Sequence, residues 1–191
     1  METDNTYLES SKRLFLYYKT LGEKAMGQLE PEQLFTVVNE DTNSIAVIVQ
    51  HLSGNMLSRW TDFLTTDGEK EWRNRDGEFE ETIHTKEELL KAWEKGWDCL
   101  FEAINGLTPG QLSQIVYIRN EGHTVMDAIN RQLAHYPYHV GQIVFYAKML
   151  KKSEWDSLSI PKNKSGDYNA DKFSKEKTTK HFTHDELNKL K

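Results

Sequence analysis

Cysteine is almost absent from this chain, which has only Cys99 among its 191 residues. A single thiol excludes an internal disulfide and every CxxC metal or redox motif, and it fits a reducing compartment. The first residues are acidic and polar rather than basic and then apolar, unlike a secretory signal. We therefore expect a cytoplasmic protein.

Long apolar runs are also missing. A membrane-spanning helix needs about 18 or more consecutive apolar residues, and no segment approaches this length. The sequence also lacks a phosphate-binding glycine motif, a nucleophile elbow and an HExxH motif. These absences predict a soluble protein without a membrane partner, and they exclude several common enzyme classes.

Positive charge is scarce outside the C-terminal segment. The net charge is −6, although residues 151–191 carry ten Lys against seven Asp and Glu, which leaves −9 for residues 1–150. Binding to nucleic acid requires Lys and Arg clustered on one face. We expect no nucleic-acid partner.

Four segments have the periodicity of amphipathic helices: about 5–27, 43–63, 85–106 and 124–150. Helix starts are marked by Asn43 or Ser44, both plausible caps, by Thr85 with Glu88 three residues later, and by Thr124. The β-branched residues and turn of 115–122 favour a short β-hairpin before the last helix. The pattern predicts an all-α fold, a four-helix bundle over residues 1–150.

Two segments lie outside this helical pattern. The polar stretch 67–84 is predicted to be a loop that packs Trp72 and Phe79 onto the bundle. Residues 151–191 form a polar, Lys-rich C-terminal tail, predicted to be an extended segment that is partly packed or disordered. The tail's apolar residues could pin its first part to the bundle and cover a pocket; these are Trp155, Leu158 and Ile160.

The fourth helix carries the strongest chemical signal, the pair His135 and His139. Imidazoles at positions i and i+4 lie on one helix face about a turn apart, so both can reach one metal ion. The alternative is a pair of partly buried histidines at a helix interface. Pro137 lies between them and should kink the helix. A strong kink would separate the two imidazoles, whereas a mild one would make room for a ligand.

His51 could supply a third imidazole, because it lies beside Ile48 and Leu52 at the edge of the apolar stripe of the second helix. Three neutral histidines leave a metal with an open fourth position, as in catalytic zinc sites. An anion, a thiolate or a hydroxide would bind there. The sequence therefore predicts a divalent-metal site made of His51, His135 and His139. It predicts no site for an organic cofactor, and it does not identify the catalytic residues.

Other reactive side chains have simpler interpretations. Four histidines are interpreted as solvated or capping residues: His84, His123, His181 and His184. Cys99 is interpreted as a buried, inert thiol. Core packing accounts for the tyrosines Tyr136, Tyr138 and Tyr146, although they could also border a pocket. A group of charged and aromatic residues around the loop is interpreted as ion pairing that anchors residues 67–84, with substrate binding as the alternative: Arg59, Trp60, Trp72, Arg73, Arg75 and Asp76.

The arrangement of one histidine in the second helix and an HxxxH pair in the fourth resembles the DinB-like superfamily of four-helix metal-binding proteins. The stretch Val140-Gly141-Gln142-Ile143 is similar to the family's usual continuation, and the resemblance covers about residues 5–150. A branch of unknown function is closer still, through the segments 51–55, 59–68 and 159–162.

This resemblance implies a bundle of the DinB-like type, a divalent metal and a homodimer. Zinc or nickel is the expected metal, with manganese and iron as further candidates. Characterised relatives include transferases and isomerases that use a low-molecular-weight thiol, such as bacillithiol or mycothiol, and a small electrophile. The leading hypothesis is a metal-dependent thiol S-transferase or hydrolase. The alternative is a nonenzymatic bundle that binds metal or senses a ligand.

Overall fold

The computed structural model describes residues 2–190, with side chains for residues 6–152 and 154–190. Within this part of the chain the fold is mostly helical, which confirms the all-α prediction. The helices are α1 (Glu2–Met26), α2 (Ile45–Trp60), α3 (Lys86–Asn105), α4 (Val125–Lys151), α5 (Ser165–Phe173) and α6 (Thr183–Lys189). The strands are β1 (Ile115–Ile118) and β2 (Glu121–Thr124). Short 3-10 turns cover Pro31–Phe35, Asp76–Phe79, Pro109–Gln111 and Lys152–Glu154.

The helix starts follow the predicted caps. The side chains of Ser44, Thr85 and Thr124 each accept a hydrogen bond from a backbone N–H in the first turn. Such caps satisfy donors that have no partner inside the helix. Helix α2 ends at Trp60 rather than near the predicted Phe63, because the next two residues leave helical geometry and Asp62 has a φ of 48°.

The four long helices form the body. Helix α1 packs against α3 and α4, and α2 packs against the same two helices. At the α2–α3 contact a Cβ on Gly96 would lie 2.9 Å from the Cα of Ser53, so only glycine allows this close approach. Among the described helices, none has the length and apolar character needed to cross a membrane.

The predicted hairpin is present as an antiparallel pair that leads directly into α4. Its turn residues Arg119 and Asn120 have φ values of 56° and 62°, the left-handed conformation that two-residue hairpin turns favour. Asp67 fixes the turn by accepting backbone N–H bonds from both, each at 2.8 Å. Burial raises the pKa of the Asp67 carboxyl, but these backbone bonds outweigh it and the net pKa is lowered. The hairpin is thereby joined to the 67–84 loop.

The 67–84 loop packs differently from the prediction. Trp72 is 60% exposed, so its predicted packing onto the body is wrong, whereas Phe79 stacks on His51 with ring centroids 5.0 Å apart. The inward-facing positions belong instead to Arg73 and Glu78, whose buried charges pair with each other. Gln50 of α2 anchors the loop by donating to the carbonyls of Gly77 and Glu80 at 2.9 and 2.8 Å.

The tail contains two short helices that the sequence did not predict. Helix α6 packs against α1, where Thr183 and Leu190 are buried and His181 bonds the hydroxyl of Ser10. Trp155 and Leu158 pack against the core as expected, but Ile160 is 40% exposed and does not pin the tail. Two residues of the predictions lie outside the described residues. They are Met1, at the start of the predicted bundle, and Lys191, at the end of the predicted tail.

A buried hydrogen-bond chain ties α2 to α4 beside the histidines. The Tyr136 hydroxyl accepts from the indole N–H of Trp60 at 3.0 Å and donates to the side-chain oxygen of Asn55 at 3.1 Å. Tyr136 is fully buried, and burial raises the pKa of its hydroxyl.

Replacing this hydroxyl should therefore destabilise the fold. We expect Tyr136→Phe to lower the free energy of unfolding by about 1–3 kcal/mol, because a buried donor and a buried acceptor lose their partner. Urea unfolding followed by circular dichroism measures the change. Tyr117→Phe is the matched control, since Tyr117 is 54% exposed. Loss of its hydroxyl should lower the free energy of unfolding by less than about 0.5 kcal/mol. Equal stabilities of the two variants would contradict the prediction.

Candidate metal centre

Three imidazoles from two helices meet at one point. His51 comes from the buried face of α2, and His135 and His139 come from α4. One ring nitrogen of each lies within 4.8 Å of the other two. The Nε2 atom of His135 is 3.1 Å from that of His139 and 3.5 Å from that of His51. The structure therefore brings together all three residues that the sequence selected.

Pro137 does not separate the histidine pair. Helix α4 runs from Val125 to Lys151 with Pro137 inside it, and the facing Nε2 atoms of His135 and His139 remain 3.1 Å apart. Proline removes one backbone N–H and crowds the preceding turn, yet the helix accommodates it here. Of the two outcomes left open by the sequence, separation of the imidazoles is excluded.

Two of the three imidazoles are oriented by a hydrogen bond from Nδ1, the ring nitrogen that faces away from the shared centre. The Nδ1–H of His51 donates to the Glu78 carboxylate at 2.9 Å, and the Nδ1–H of His139 donates to the Gln142 amide oxygen at 2.7 Å. A proton on Nδ1 leaves Nε2 as a free lone pair, and such acceptors also fix the ring orientation of metal-binding histidines. Both lone pairs point to the shared centre.

Glu78 is itself held firmly. Its carboxylate accepts two hydrogen bonds from the Arg73 guanidinium, at 2.7 and 2.9 Å. Burial raises the pKa of the Glu78 carboxyl, but the bonds from Arg73 and His51 outweigh it and the net pKa is lowered. Gly54 makes room for this group, because a Cβ there would lie only 2.7 Å from the carboxyl carbon of Glu78.

The imidazoles on α4 are neutral in this environment. Burial, followed by the charges of His139 and His51, lowers the pKa of His135 to about 3. Burial also lowers the pKa of His139, against the opposing hydrogen bond to Gln142. Only neutral imidazole offers a lone pair to a metal. These two residues are therefore in the form that metal binding requires.

The donor set fits a divalent cation. The Nε2 atoms of His51 and His139 face that of His135 at 3.5 and 3.1 Å, so a cation, or a proton on the Nε2 of His135, can lie between them. With metal–nitrogen bonds of about 2.0–2.1 Å, the edge of a tetrahedral site is about 3.4 Å. The two separations that involve His135 bracket this edge, and all three ligand atoms lie within 4.8 Å of one another. Three imidazoles suit zinc, nickel, copper or iron better than magnesium or calcium.

The centre opens into a pocket of about 400 Å³. Its lining residues are His51, Asn55, Arg59, Arg73, Arg75, Phe79, Arg119, Arg131, Gln132, His135, Tyr138 and His139. None of these offers a carboxylate or a thiol as a fourth ligand. No lining residue comes from the tail, so the predicted cover over the pocket is not formed by Trp155 to Ile160.

The remaining candidates are spread over the molecule. Cys99 is half-buried, and burial raises the pKa of its thiol, which fits the inert interpretation. Tyr136 and Tyr146 belong to the core, whereas Tyr138 is 62% exposed and lines the pocket. His84 and His184 are exposed, as interpreted from the sequence.

Several pocket residues were missed by the sequence analysis. Arg131 and Gln132 precede His135 by four and three positions, a spacing that places them on the same helix face. That signal could have identified both. Glu78 had no such signal, because it reaches His51 from an irregular loop 27 residues away.

The Glu78 bond to His51 generates a prediction about metal affinity. We expect Glu78→Gln to weaken metal binding about 10–100-fold, since the substitution removes the charge that orients and polarises the imidazole. Competition with a chromophoric chelator measures the change. Glu81→Gln is the control, because Glu81 lies exposed in the same loop and should leave affinity unchanged. Equal affinities of the two variants would refute a role for Glu78.

One protein-family model matches a part of the chain that includes this centre. A family model described as "Protein of unknown function (DUF1572)" matches residues 2–164, which include all three histidines and the whole pocket lining. No curated protein and no solved structure gives a significant match. Because the family model covers more than half of the sequence, the chain belongs to the DUF1572 family of proteins of unknown function.

Proposed function

We propose that this protein is a metal-dependent enzyme whose metal is held by His51, His135 and His139. Convergence of the three imidazoles on one point at the wall of an open pocket carries the proposal. A divalent metal bound there would supply a Lewis acid that lowers the pKa of a thiol or a water molecule. The reaction class is transfer of a thiol to a small electrophile, or hydrolysis.

The chain's own residues have separate tasks in this scheme. Glu78 and Gln142 orient two of the imidazoles, and their hydrogen bonds are made without a metal. Arg73 holds Glu78 in its charged form. Phe79 covers one face of His51 and limits access of water from that side. The set of ligands is thus preorganised, which favours binding and catalysis.

An enzymatic role is favoured over a purely structural metal by the contacts around the site. Helices α2 and α4, which supply the histidines, are already joined by the hydrogen bonds of Tyr136 to Trp60 and Asn55. The absence of a fourth protein ligand in the pocket lining also favours catalysis, because structural zinc sites are closed by four protein ligands.

The resemblance to the DinB-like superfamily supports the finer parts of the proposal. It favours zinc or nickel as the metal and a low-molecular-weight thiol as co-substrate. It also supports the homodimer, for which α4 offers the exposed side chains Phe145 and Met149. A cytoplasmic location remains a prediction from the single cysteine.

Metal content tests this proposal. We expect tag-free wild-type protein, purified without chelator, to hold about one metal per chain. The double variant His135→Ala, His139→Ala should lose it, because one imidazole cannot hold the ion alone. Elemental mass spectrometry gives the stoichiometry, and circular dichroism verifies that the variant is folded.

The control for metal content is the double variant His84→Ala, His184→Ala, whose histidines are exposed and distant from the pocket lining. It should retain the full metal content. Wild-type protein that stays metal-free after incubation with zinc, nickel, manganese and iron would overturn the proposal, as would equal retention in both double variants.

A further inference from the structure

Arginine is concentrated in one place in this molecule. The sequence has six arginines, and five of them line the pocket of the metal centre: Arg59, Arg73, Arg75, Arg119 and Arg131. The chain has eighteen lysines, and none of those among the described residues lines this pocket. The net charge of −6 makes this concentration stand out against an acidic protein. The pocket is therefore a local positive region.

Only part of this positive charge is balanced by ion pairs. Glu69 pairs with three of the guanidinium groups, those of Arg59, Arg73 and Arg119, at 3.1, 3.2 and 3.2 Å. Glu78 pairs only with Arg73 among them. Two carboxylates thus pair with three of the five guanidinium groups, which leaves three positive charges in excess over the five arginines of the lining.

The remaining two arginines have no carboxylate partner among the described residues. Arg131 lies on α4 one turn before His135, and its side chain is exposed. The guanidinium of Arg75 lies over the ring of Phe79, 5.8 Å from its centroid, and Phe79 in turn stacks on His51. Both guanidinium groups are therefore free to bind a ligand in the pocket that contains the histidines.

The pocket wall also contains unused hydrogen-bonding capacity. The Nε of Arg59 and the Oε1 of Gln132 are buried without a hydrogen-bond partner. Both residues are more than nine-tenths buried, and both line the pocket. Buried polar atoms are usually paired, so the free N–H of Arg59 calls for an acceptor on a ligand, whereas the Gln132 oxygen calls for a donor such as a hydroxyl.

We propose that this pocket binds a small molecule through a carboxylate or phosphate group held by Arg75 and Arg131. Guanidinium groups bind such oxyanions with paired, charge-assisted hydrogen bonds, which lysine does not reproduce. A positive pocket in an acidic protein attracts small anions, while the acidic surface around it repels polyanions. A volume of about 400 Å³ suits a ligand of metabolite size.

The anion group identifies the substrate class of the proposed enzyme. While Arg75 and Arg131 hold the charged end, the rest of the molecule extends along Phe79 toward the three histidines. This last statement rests on the proposed function, whereas binding of the anion does not. The two can therefore be tested separately.

The test is calorimetric titration of metal-free protein with inorganic phosphate and with succinate, which separates the two kinds of oxyanion. We expect at least one of them to bind wild type. Binding should weaken about tenfold or more in the double variant Arg75→Gln, Arg131→Gln, because the charge-assisted hydrogen bonds of both guanidinium groups are lost. Neither arginine has a buried carboxylate partner, so the variant should fold.

Arg13→Gln is the matched control, since Arg13 is exposed on α1 and outside the pocket lining. It should bind the anion as wild type does. Absence of binding to both anions, or equal binding by the double variant and wild type, would overturn the proposal. Anion binding by a protein that takes up no metal would refute the proposed enzyme while leaving the anion site in place.

Discussion

The carboxylate of Glu78 connects Arg73 of the 67–84 loop to His51 of the candidate metal centre. It accepts from Arg73 on one side and from the Nδ1–H of His51 on the other, and all three side chains are largely buried. Removing one member of such a group leaves a buried charge without its partner, which is costly. The bond to His51 fixes which imidazole nitrogen is free, and Gly54 provides the space that the carboxylate needs. The orientation of the centre therefore depends on a loop residue rather than on the bundle alone.

Much of the fold follows from the sequence because helical signals are local. The caps at Ser44, Thr85 and Thr124 mark the helix starts, and the hairpin turn follows from the sequence around Arg119 and Asn120. The three histidines could be predicted from the spacing within α4 and the apolar stripe of α2. The small helices of the tail could not, because both are short and α6 depends on docking against α1. Glu78 was not predictable either, since its position is set by long-range contacts of an irregular loop.

The pocket is rich in positive charge although the chain as a whole is negatively charged. An acidic chain keeps five of its six arginines around one cavity, and the described residues that line it include no lysine. Ion pairs with Glu69 and Glu78 hold the loop on the bundle, which agrees with the simpler interpretation of Arg59 and Arg73. Arg59 and Arg73 also line the pocket. The same two residues therefore anchor the loop and contribute positive charge to the site. Neutral imidazoles and positive guanidinium groups together suit a site for an anionic ligand.

The cobalt(II)-substituted protein can show whether the three histidines form a metal centre with a position open to an exogenous ligand. Its visible absorption during titration with 2-mercaptoethanol reports both the coordination of cobalt and any bound thiolate. We expect cobalt to bind to wild type but not to the His135→Ala, His139→Ala variant, and we expect added thiol to produce a sulfur-to-cobalt charge-transfer band. A cobalt spectrum that thiol does not change would show a centre closed by the chain itself and would rule out the open position.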